Sequence, residues 1–328
     1  MKYGATITGI GAYVPENRLT NADLTRMVDT SDEWIVTRTG IRERRIAPRE
    51  EGTSHLAVRA AREALQAAGL RPEDLDLILV ATSTPDLTFP PVACLVQGEL
   101  GAGRAPAFDV NGVCAGFLTA LVTGAQFIGT GTCRHVLVIG ADTYSRIVDY
   151  TDRSTCILFG DGAGAVVLSR TEPGRGLLDF TLAADGREAG LLYCPHPRSP
   201  AATLAALGAE PAPYIRQHGQ AVFKAAVSAM AEAITTLLER QGLVAGDLAV
   251  LVPHQANLRL LSALAERIGL PEDRVAVSIE EHGNTSAASI PLALHRWVHT
   301  RGLHPGDLVM FTAVGGGLLW GAALMRWG

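Results

Sequence analysis

Lysine is almost absent from this sequence, and aromatic residues make up only 5% of it. Lys2 and Lys224 are the only lysines, so nearly all the positive charge is arginine. The formal net charge of −5 argues against a general nucleic-acid binder, which needs a basic surface. Arginine binds phosphates and carboxylates through a fixed fork, so a local basic patch remains compatible with this charge. We therefore expect no nucleic-acid partner.

Closely spaced cysteines are also missing. There are five cysteines, an odd number, and no CxxC motif occurs. Zinc sites and disulfide frameworks both need closer or paired spacings. The sequence therefore predicts neither a metal centre nor a disulfide scaffold; the cysteines are Cys94, Cys114, Cys133, Cys156 and Cys194.

Long apolar runs are scarce, and only residues 308–325 approach the length of a transmembrane helix. Gly315, Gly316 and Gly317 lie in the middle of this stretch, and each glycine costs about 1 kcal/mol of helix propensity relative to alanine. The pattern favours two buried strands joined by a glycine turn. Because residues 1–4 carry no apolar signal segment, we expect a cytoplasmic protein without a membrane partner.

The chain of 328 residues, 48% of them apolar, contains enough material for a large core. A helical pattern, a glycine and a short apolar run occur in that order at residues 55–80 and again at 221–252. The offset is 173 here and 172 for residues 136–139 against 308–311. Continuous apolar runs between helical patterns indicate strands covered on both faces. The sequence predicts a duplicated α/β fold with halves 1–172 and 173–328, and a long loop over 194–213.

Cys114 is the first candidate for chemistry. It lies in a segment, residues 108–118, that passes from a short apolar strand through a turn into a helical pattern. A helix N-terminus favours the thiolate, which is the nucleophilic form of cysteine. The alternative is a cysteine that only packs in the core. The other four cysteines lack this context and are interpreted as structural.

His254 and Asn284 lie at two further turns that precede helical patterns. His254 follows the apolar run 251–253, and carboxyl ends of strands are where α/β proteins bind ligands. Taken singly, His254 fits a core histidine and Asn284 fits a helix N-cap. At an offset of 172, however, Cys114 falls on Ser286, beside Asn284. Both halves then present the same turn to their common seam.

Glycine clusters offer a further candidate site. Gly315, Gly316 and Gly317 allow close backbone approach and could aim N–H groups into a cavity as an oxyanion hole, or could form a tight hairpin turn. The clusters at 9–11 and 160–164 lack the strand, glycine and helix order of a dinucleotide site. We therefore expect no nicotinamide or flavin cofactor.

Together these motifs resemble the β-ketoacyl-acyl-carrier-protein synthase III family over almost the whole chain. The resemblance implies a thiolase fold, a duplicated five-layer α-β-α-β-α architecture, and a homodimer. It also implies condensation of an acyl-CoA primer with malonyl-acyl-carrier-protein, the first elongation step of type II fatty-acid synthesis. The matching segments are residues 30–44, the Cys114 turn, 159–165, 254–257, 282–289 and 315–317.

The same resemblance assigns catalytic roles. It makes Cys114 the nucleophile that the primer acylates, with the N–H groups of Cys114 and Gly316 as the oxyanion hole. His254 and Asn284 would donate hydrogen bonds to the malonyl thioester carbonyl as carbon dioxide leaves. No metal or redox cofactor is expected, because the CoA thioester is itself a substrate.

Binding roles follow from the resemblance in the same way. Trp34 and Arg153 would hold the adenine of CoA between them, and Phe223 would line the pantetheine tunnel. Phe89 would reach across the homodimer to close the acyl pocket of the partner subunit. Further CoA contacts would come from Thr30, Arg38, Gly219 and Asn257, and docking contacts for the acidic carrier protein from Lys224 and Arg259.

Three alternatives compete with this interpretation. A specialised relative of the same fold would use another starter or acceptor in polyketide or quinolone-type synthesis. A thioester hydrolase would need the same Cys/His/Asn residue types. A non-catalytic acyl-CoA-binding module is disfavoured because all three catalytic residues are present. The primer is expected to be acetyl or another short acyl group. Its exact length and branching depend on the depth of the acyl pocket.

Overall fold

A computed structural model describes residues 2–328, in which strands and helices alternate along the chain. The strands are β1 (Gly4–Tyr13), β2 (Arg18–Thr20), β3 (Glu43–Arg45), β4 (Leu77–Ala81), β5 (Ala107–Val110), β6 (His135–Thr143), β7 (Asp161–Thr171), β8 (Gly176–Ala184), β9 (Leu192–Tyr193), β10 (Arg216–Gln217), β11 (Val250–Pro253), β12 (Leu308–Gly315) and β13 (Leu319–Arg326). The helices are α1 (Asn21–Leu24), α2 (Asp32–Thr39), α3 (Thr53–Ala68), α4 (Val92–Leu100), α5 (Gly116–Gly129), α6 (Arg153–Cys156), α7 (Ala201–Leu207), α8 (Gly219–Gln241), α9 (Leu258–Ile268), α10 (Ile279–His282) and α11 (Ser289–Thr300).

The main sheet consists of two arrays with the same topology. The first runs β5-β4-β6-β7-β1 and the second runs β11-β12-β13-β8, and the pair Ala5 and Gly176 joins them edge to edge. In each array one pair of strands is parallel, β4 with β6 and β11 with β12, and the next strand inward is antiparallel. Val275, bridged in parallel to Leu251, takes the place of β5 in the second array. The halves therefore share one strand plan.

A single offset of 173 relates the two halves. Leu77 pairs with Val136 in the first half, and Val250 pairs with Val309 in the second. The turn Val113–Ala115 likewise corresponds to Ser286–Ala288. Cys114 therefore corresponds to Ala287, and the predicted match with Ser286 is wrong by one residue. The error arose when the two apolar runs 136–139 and 308–311 were aligned. Because both segments are continuously apolar, a shift of one residue still aligns apolar residues with each other.

Five layers result from the way these elements pack. Helices α3 and α4 cover the outer face of the first array, with Ile78 and Val80 beneath them. Helices α8 and α9 cover the outer face of the second. Between the arrays lie α5 and α11, whose Phe117 and Ile290 share one buried cluster with strands of both halves. The predicted α-β-α-β-α arrangement is confirmed.

The predicted boundary at residue 172 falls in the connection between Thr171, which ends β7, and Gly176, which begins β8. The boundary itself stays a prediction. Because α5 and α11 pack against strands of both halves, each half buries apolar surface of the other. The segment 194–213 differs from the expected loop because it contains the short helix α7.

Residues 308–325 form the hairpin of β12 and β13, as the sequence predicted. Within the described part of the chain, α8 is the one helix with the length and apolar composition to cross a membrane. Met230, Ile234 and Leu237 on α8 are nevertheless buried against the second array. This helix is thus the outer cover of the sheet.

Candidate active site

One cavity of about 1550 Å³ brings the principal candidate residues together. Cys114, His254, Asn284 and Gly316 all line it, although they come from four separate segments of the chain. The cavity lies at the seam of the two halves, as the duplication suggested. Its lining also includes the predicted substrate contacts Trp34, Arg38, Gly219, Phe223, Asn257 and Arg259.

Cys114 lies on a tight turn between β5 and α5. Asn111 Oδ1 accepts a hydrogen bond from the Val113 N–H at 3.3 Å, and Val113 has a φ of 49°. A positive φ is uncommon for a β-branched residue and indicates that the surroundings impose the turn. The turn places Cys114 just before the first residue of α5, buried at the cavity wall.

Burial raises the pKa of Cys114 to about 12, and the nearby Asp142 carboxylate acts in the same direction. The neighbouring hydroxyls of Ser286 and Tyr144 lower this pKa, but burial outweighs them. Burial therefore opposes the expected stabilisation of the thiolate by the helix N-terminus. The thiol is protonated near neutral pH, since removal from water penalises the charged form more than the helix end stabilises it.

The glycine run after β12 packs directly against the Cys114 turn. A Cβ added to Gly315 would lie 2.9 Å from the Gly112 carbonyl oxygen, closer than real side chains allow, and 3.0 Å from the Cys114 nitrogen. A Cβ on Gly316 would lie 2.7 Å from the Leu192 carbonyl oxygen. Glycine is therefore required on steric grounds at both positions, whatever part the Gly316 N–H takes in catalysis.

His254 is held by hydrogen bonds on both its backbone and its ring. Its backbone N–H donates to the Thr312 carbonyl at 2.8 Å, and its Nδ1 lies 2.8 Å from Ser289 Oγ. Burial lowers the pKa of His254 to about 4. The ring is therefore neutral near neutral pH, with Nε2 as the free ring nitrogen.

Asn284 is fixed by three hydrogen bonds. Its backbone N–H donates to Leu158 O at 2.8 Å, and its carbonyl accepts from the Gly160 N–H at 3.0 Å. Its side-chain Oδ1 accepts from the Ser286 N–H at 2.9 Å. Because the amide oxygen is engaged in this way, the amide NH₂ is the end free to donate into the cavity.

Asp142, which the sequence analysis did not identify, joins the two halves beneath Cys114. Its buried carboxylate accepts hydrogen bonds from Thr82 Oγ1, the Ser83 N–H and Thr84 Oγ1 in the first half, at 2.9–3.0 Å. It also accepts from the Ala287 N–H of the second half at 3.1 Å. Its position just after the apolar run of β6 was the available signal, because strand ends meet at the seam.

Ser83 and Tyr144 form the polar wall next to the thiol, and the sequence analysis missed both. The Tyr144 hydroxyl lies 2.9 Å from Ser83 Oγ, and both residues line the cavity. Burial raises the pKa of Tyr144 well above its ordinary value, so its hydroxyl is protonated. Neither residue falls in a turn motif, which is why pattern reasoning passed over them.

At the cavity mouth, two guanidinium groups lie close to the Trp34 ring. Arg153 is 5.0 Å and Arg38 is 5.8 Å from the ring centroid, and Arg153 also donates to the Asp29 carbonyl at 2.9 Å. A flat base between Trp34 and Arg153 would need more than this 5.0 Å separation, so the predicted adenine stacking requires a different Arg153 side-chain conformation.

Four predicted contact residues do not line the cavity. Arg153 and Thr30 lie beside the mouth, and the Thr30 hydroxyl is buried without a hydrogen-bond partner. Lys224 is exposed on α8. Phe89 is 82% exposed in the loop before α4, so it closes no pocket of its own chain. Its predicted role across a homodimer concerns a second subunit and stays a prediction.

No group of three or more His, Cys, Asp or Glu side chains among residues 2–328 converges on a common point where a metal could bind. The expectation that the chemistry needs neither metal nor redox cofactor stays a prediction.

Comparisons with known proteins point in one direction. The family described as 3-oxoacyl-acyl-carrier-protein synthase III matches residues 108–186, and its C-terminal domain matches residues 238–327. A β-ketoacyl-acyl-carrier-protein synthase III of Geobacillus kaustophilus is 50% identical over 99% of both chains.

Two solved structures are similar over nearly the full length. The 3-oxoacyl-acyl-carrier-protein synthase III of Aquifex aeolicus has a TM-score of 0.92 at 48% identity, covering 99% of this chain and 100% of its own. A priming β-ketosynthase from the R1128 polyketide biosynthetic pathway has a TM-score of 0.92 at 36% identity, covering 99% and 97%.

Proposed function

Because this chain belongs to the β-ketoacyl-acyl-carrier-protein synthase III family, we propose that Cys114, His254 and Asn284 carry out its condensation of an acyl-CoA primer with malonyl-acyl-carrier-protein. The protein is a condensing acyltransferase of the thiolase fold that initiates fatty-acid synthesis. The observation that carries the residue assignment is the convergence of these three side chains, from distant segments, on one cavity.

The first half-reaction transfers the primer to Cys114. The sulfur attacks the thioester carbonyl, and the N–H groups of Cys114 and Gly316 stabilise the tetrahedral oxyanion. Loss of one such donor typically costs about 10²- to 10³-fold in rate. When the intermediate collapses, the C–S bond to CoA breaks, and the proton lost by the buried thiol ends on the CoA sulfur.

The second half-reaction removes carbon dioxide from the malonyl group. As the C–C bond breaks, negative charge develops on the thioester oxygen, where Nε2 of His254 and the amide of Asn284 donate hydrogen bonds. Both donors are neutral and already aimed at this oxygen. They therefore stabilise the charge that develops in the transition state more than they stabilise the neutral carbonyl of the bound substrate. The carbanion then attacks the acyl-Cys114 carbonyl and the C–S bond breaks, which releases a 3-ketoacyl-acyl-carrier-protein and the Cys114 thiolate. A proton from solvent then regenerates the thiol.

Substrate binding is proposed to follow the cavity from mouth to thiol. Arg38 and Trp34 would meet the nucleotide end of CoA together with Arg153 and Thr30, and Phe223 would flank the pantetheine arm. The acidic carrier protein would dock on the arginine-bearing rim. The remaining contacts are assigned to Gly219 and Asn257 for CoA, and to Lys224 and Arg259 for the carrier protein.

We also propose a homodimer that works in the cytoplasm, where acyl-CoA and carrier protein are both supplied. β5 is an edge strand of the main sheet, and its Phe108 is 39% exposed. An exposed edge strand with an apolar side chain readily pairs with another strand. Pairing of β5 with its copy would also bring Phe89, in the loop before α4, towards the partner subunit.

The first test is the site of acylation. Incubation with labelled acetyl-CoA should load one acetyl group per chain, and peptide mass spectrometry should locate it on Cys114. Cys156, which is also buried, provides the matched control, since Cys156→Ser should load normally while Cys114→Ser should not. Loading on any other cysteine contradicts the assignment.

One observation supports a second candidate within the same fold. The similarity to a priming polyketide ketosynthase is compatible with a different starter group. A series of acyl-CoA primers, compared by kcat/KM for condensation, distinguishes the two functions. Preference for acetyl or another short primer supports fatty-acid initiation, and preference for an unusual starter supports the specialised function.

A further inference from the structure

Ser289, the first residue of α11, contacts both the ring of His254 and the backbone that follows it. Its Oγ lies 2.8 Å from His254 Nδ1 and accepts a hydrogen bond from the Gln255 N–H at 3.3 Å. Ser289 is only 1% exposed, so water does not supply other partners. The hydrogen-bond partners of this hydroxyl are therefore to be found among protein atoms.

A hydroxyl group has one proton and two acceptor lone pairs. One lone pair of Ser289 Oγ takes the Gln255 N–H. If Nδ1 of His254 also carried a proton, it would occupy the second lone pair, and the hydroxyl proton would need another acceptor. Among residues 2–328, no other acceptor is hydrogen-bonded to this hydroxyl. Donation from Ser289 to an unprotonated Nδ1 is the arrangement that leaves nothing unsatisfied.

The segment carrying His254 is rigid enough for this hydrogen bond to matter. The Gln255 side chain donates to the carbonyls of Pro253 and Ala276, at 2.8 and 3.0 Å, and accepts from the Ser278 N–H at 2.9 Å. The buried amide therefore fixes the backbone on both sides of the histidine. The ring has little freedom to find a different partner for Nδ1.

We infer that Ser289 is a positioning residue that holds His254 as the Nε2–H tautomer, with the ring proton facing the cavity. This inference rests on the proposed function for its catalytic meaning. In that tautomer, Nε2 can donate to the developing enolate oxygen but cannot accept the proton of Cys114. Ser289 therefore serves the decarboxylation half-reaction and not the acylation of the thiol.

The direct test is nitrogen NMR of the wild-type enzyme labelled with ¹⁵N-histidine, with His254→Ala used to assign the signals. At neutral pH, Nδ1 of His254 should show the chemical shift of an unprotonated nitrogen, and Nε2 that of a protonated one. The reverse pattern overturns the inference. This measurement needs neither substrate nor a Ser289 variant.

The functional test compares Ser289→Ala with Ser289→Thr, which retains the hydroxyl. Ser289→Ala should lower kcat for malonyl-acyl-carrier-protein decarboxylation by about tenfold, the effect of one lost hydrogen bond, with little change in KM. Acetyl loading of Cys114 should stay normal, and Ser289→Thr should restore much of the rate. Equal loss of both half-reactions in Ser289→Ala contradicts a tautomer role.

A matched control lies elsewhere in the chain. Ser169 Oγ is 2.9 Å from Nδ1 of His135, a similar contact outside the cavity. Ser169→Ala should leave both half-reactions and the His254 signals unchanged. If the wild-type enzyme decarboxylates no malonyl-acyl-carrier-protein at all, the proposed function fails, while the nitrogen shifts still decide the tautomer.

Discussion

At the scale of single residues, the chemical role of each side chain depends on which of its atoms faces the cavity. Asn284 illustrates this, because its amide oxygen is occupied by the Ser286 N–H. Only its NH₂ group can then serve the reaction, and a carboxylate of nearly the same shape cannot replace it.

Asn284→Asp should therefore abolish donation while keeping the hydrogen bond to Ser286. We expect decarboxylation of malonyl-acyl-carrier-protein to fall by about 10²- to 10³-fold, since an aimed donor is lost and a negative charge is introduced. Acetyl loading on Cys114 should fall much less. Separate assays of the two half-reactions provide the check, and an Asn284→Asp enzyme that decarboxylates normally would disprove the donor role.

Sequence reasoning located the chemical residues but not their electrostatics. The strand, turn and helix pattern around Cys114 predicted its place in the cavity, since that pattern is local. The pKa of the thiol depends on burial, on the charge of Asp142 and on the hydroxyls of Tyr144 and Ser286, which all come from distant segments. A local pattern contains no information about such neighbours.

At the scale of elements, Asn257 combines a helix cap with a place on the cavity wall. Its Oδ1 accepts a hydrogen bond from the Leu260 N–H at 2.8 Å, so it is the N-cap of α9, and it also lines the cavity. The sequence analysis assigned it only to CoA. The cap explains why α9 begins where it does.

Asn257→Ala should lower the free energy of unfolding by about 1 kcal/mol, because the cap is lost. Asn257→Ser keeps a capping oxygen and should stay within a few tenths of a kcal/mol of the wild type. Both variants should weaken CoA binding if the amide contacts CoA. Urea unfolding and CoA titration measure the two effects, and full stability in Asn257→Ala would show that the cap contributes nothing.

The order of elements was predictable because helices, glycine stops and apolar strands follow local rules. The exact register of the repeat was not, since sequence identity between the halves is slight. The backbone shows the correct offset through two paired turns, where Val113 and Ser286 share a φ near 50°. Packing at the seam imposes this φ angle, so the residue types at these two positions do not predict it.

At the scale of the whole molecule, Asp142 is a buried polar link between the halves. Beside it, Gly140 lies so close to the second half that an added Cβ would be 2.3 Å from the Ala287 carbonyl oxygen. The halves are thus in contact through backbone as well as through the shared helices. We expect them to unfold together.

Asp142→Ala would remove the carboxylate that accepts hydrogen bonds from Thr82 Oγ1, the Ser83 N–H, Thr84 Oγ1 and the Ala287 N–H. The free energy of unfolding should fall by roughly 3 kcal/mol or more, in a single transition. Glu99→Ala, at an exposed carboxylate paired with the exposed Arg62, is the control and should change stability little. Chemical denaturation followed by two probes tests this, and a loss below about 1 kcal/mol would contradict the role of Asp142.

In the proposed mechanism, one cavity first acylates Cys114 and then condenses that acyl group with a decarboxylated malonyl unit. The most direct measurement is mass spectrometry of the carrier protein after acetyl-loaded enzyme meets malonyl-acyl-carrier-protein. The wild-type enzyme should form a 3-ketoacyl-acyl-carrier-protein, and Cys114→Ala should form none. Release of free acetate with malonyl-acyl-carrier-protein unchanged would contradict this mechanism and identify a thioester hydrolase instead.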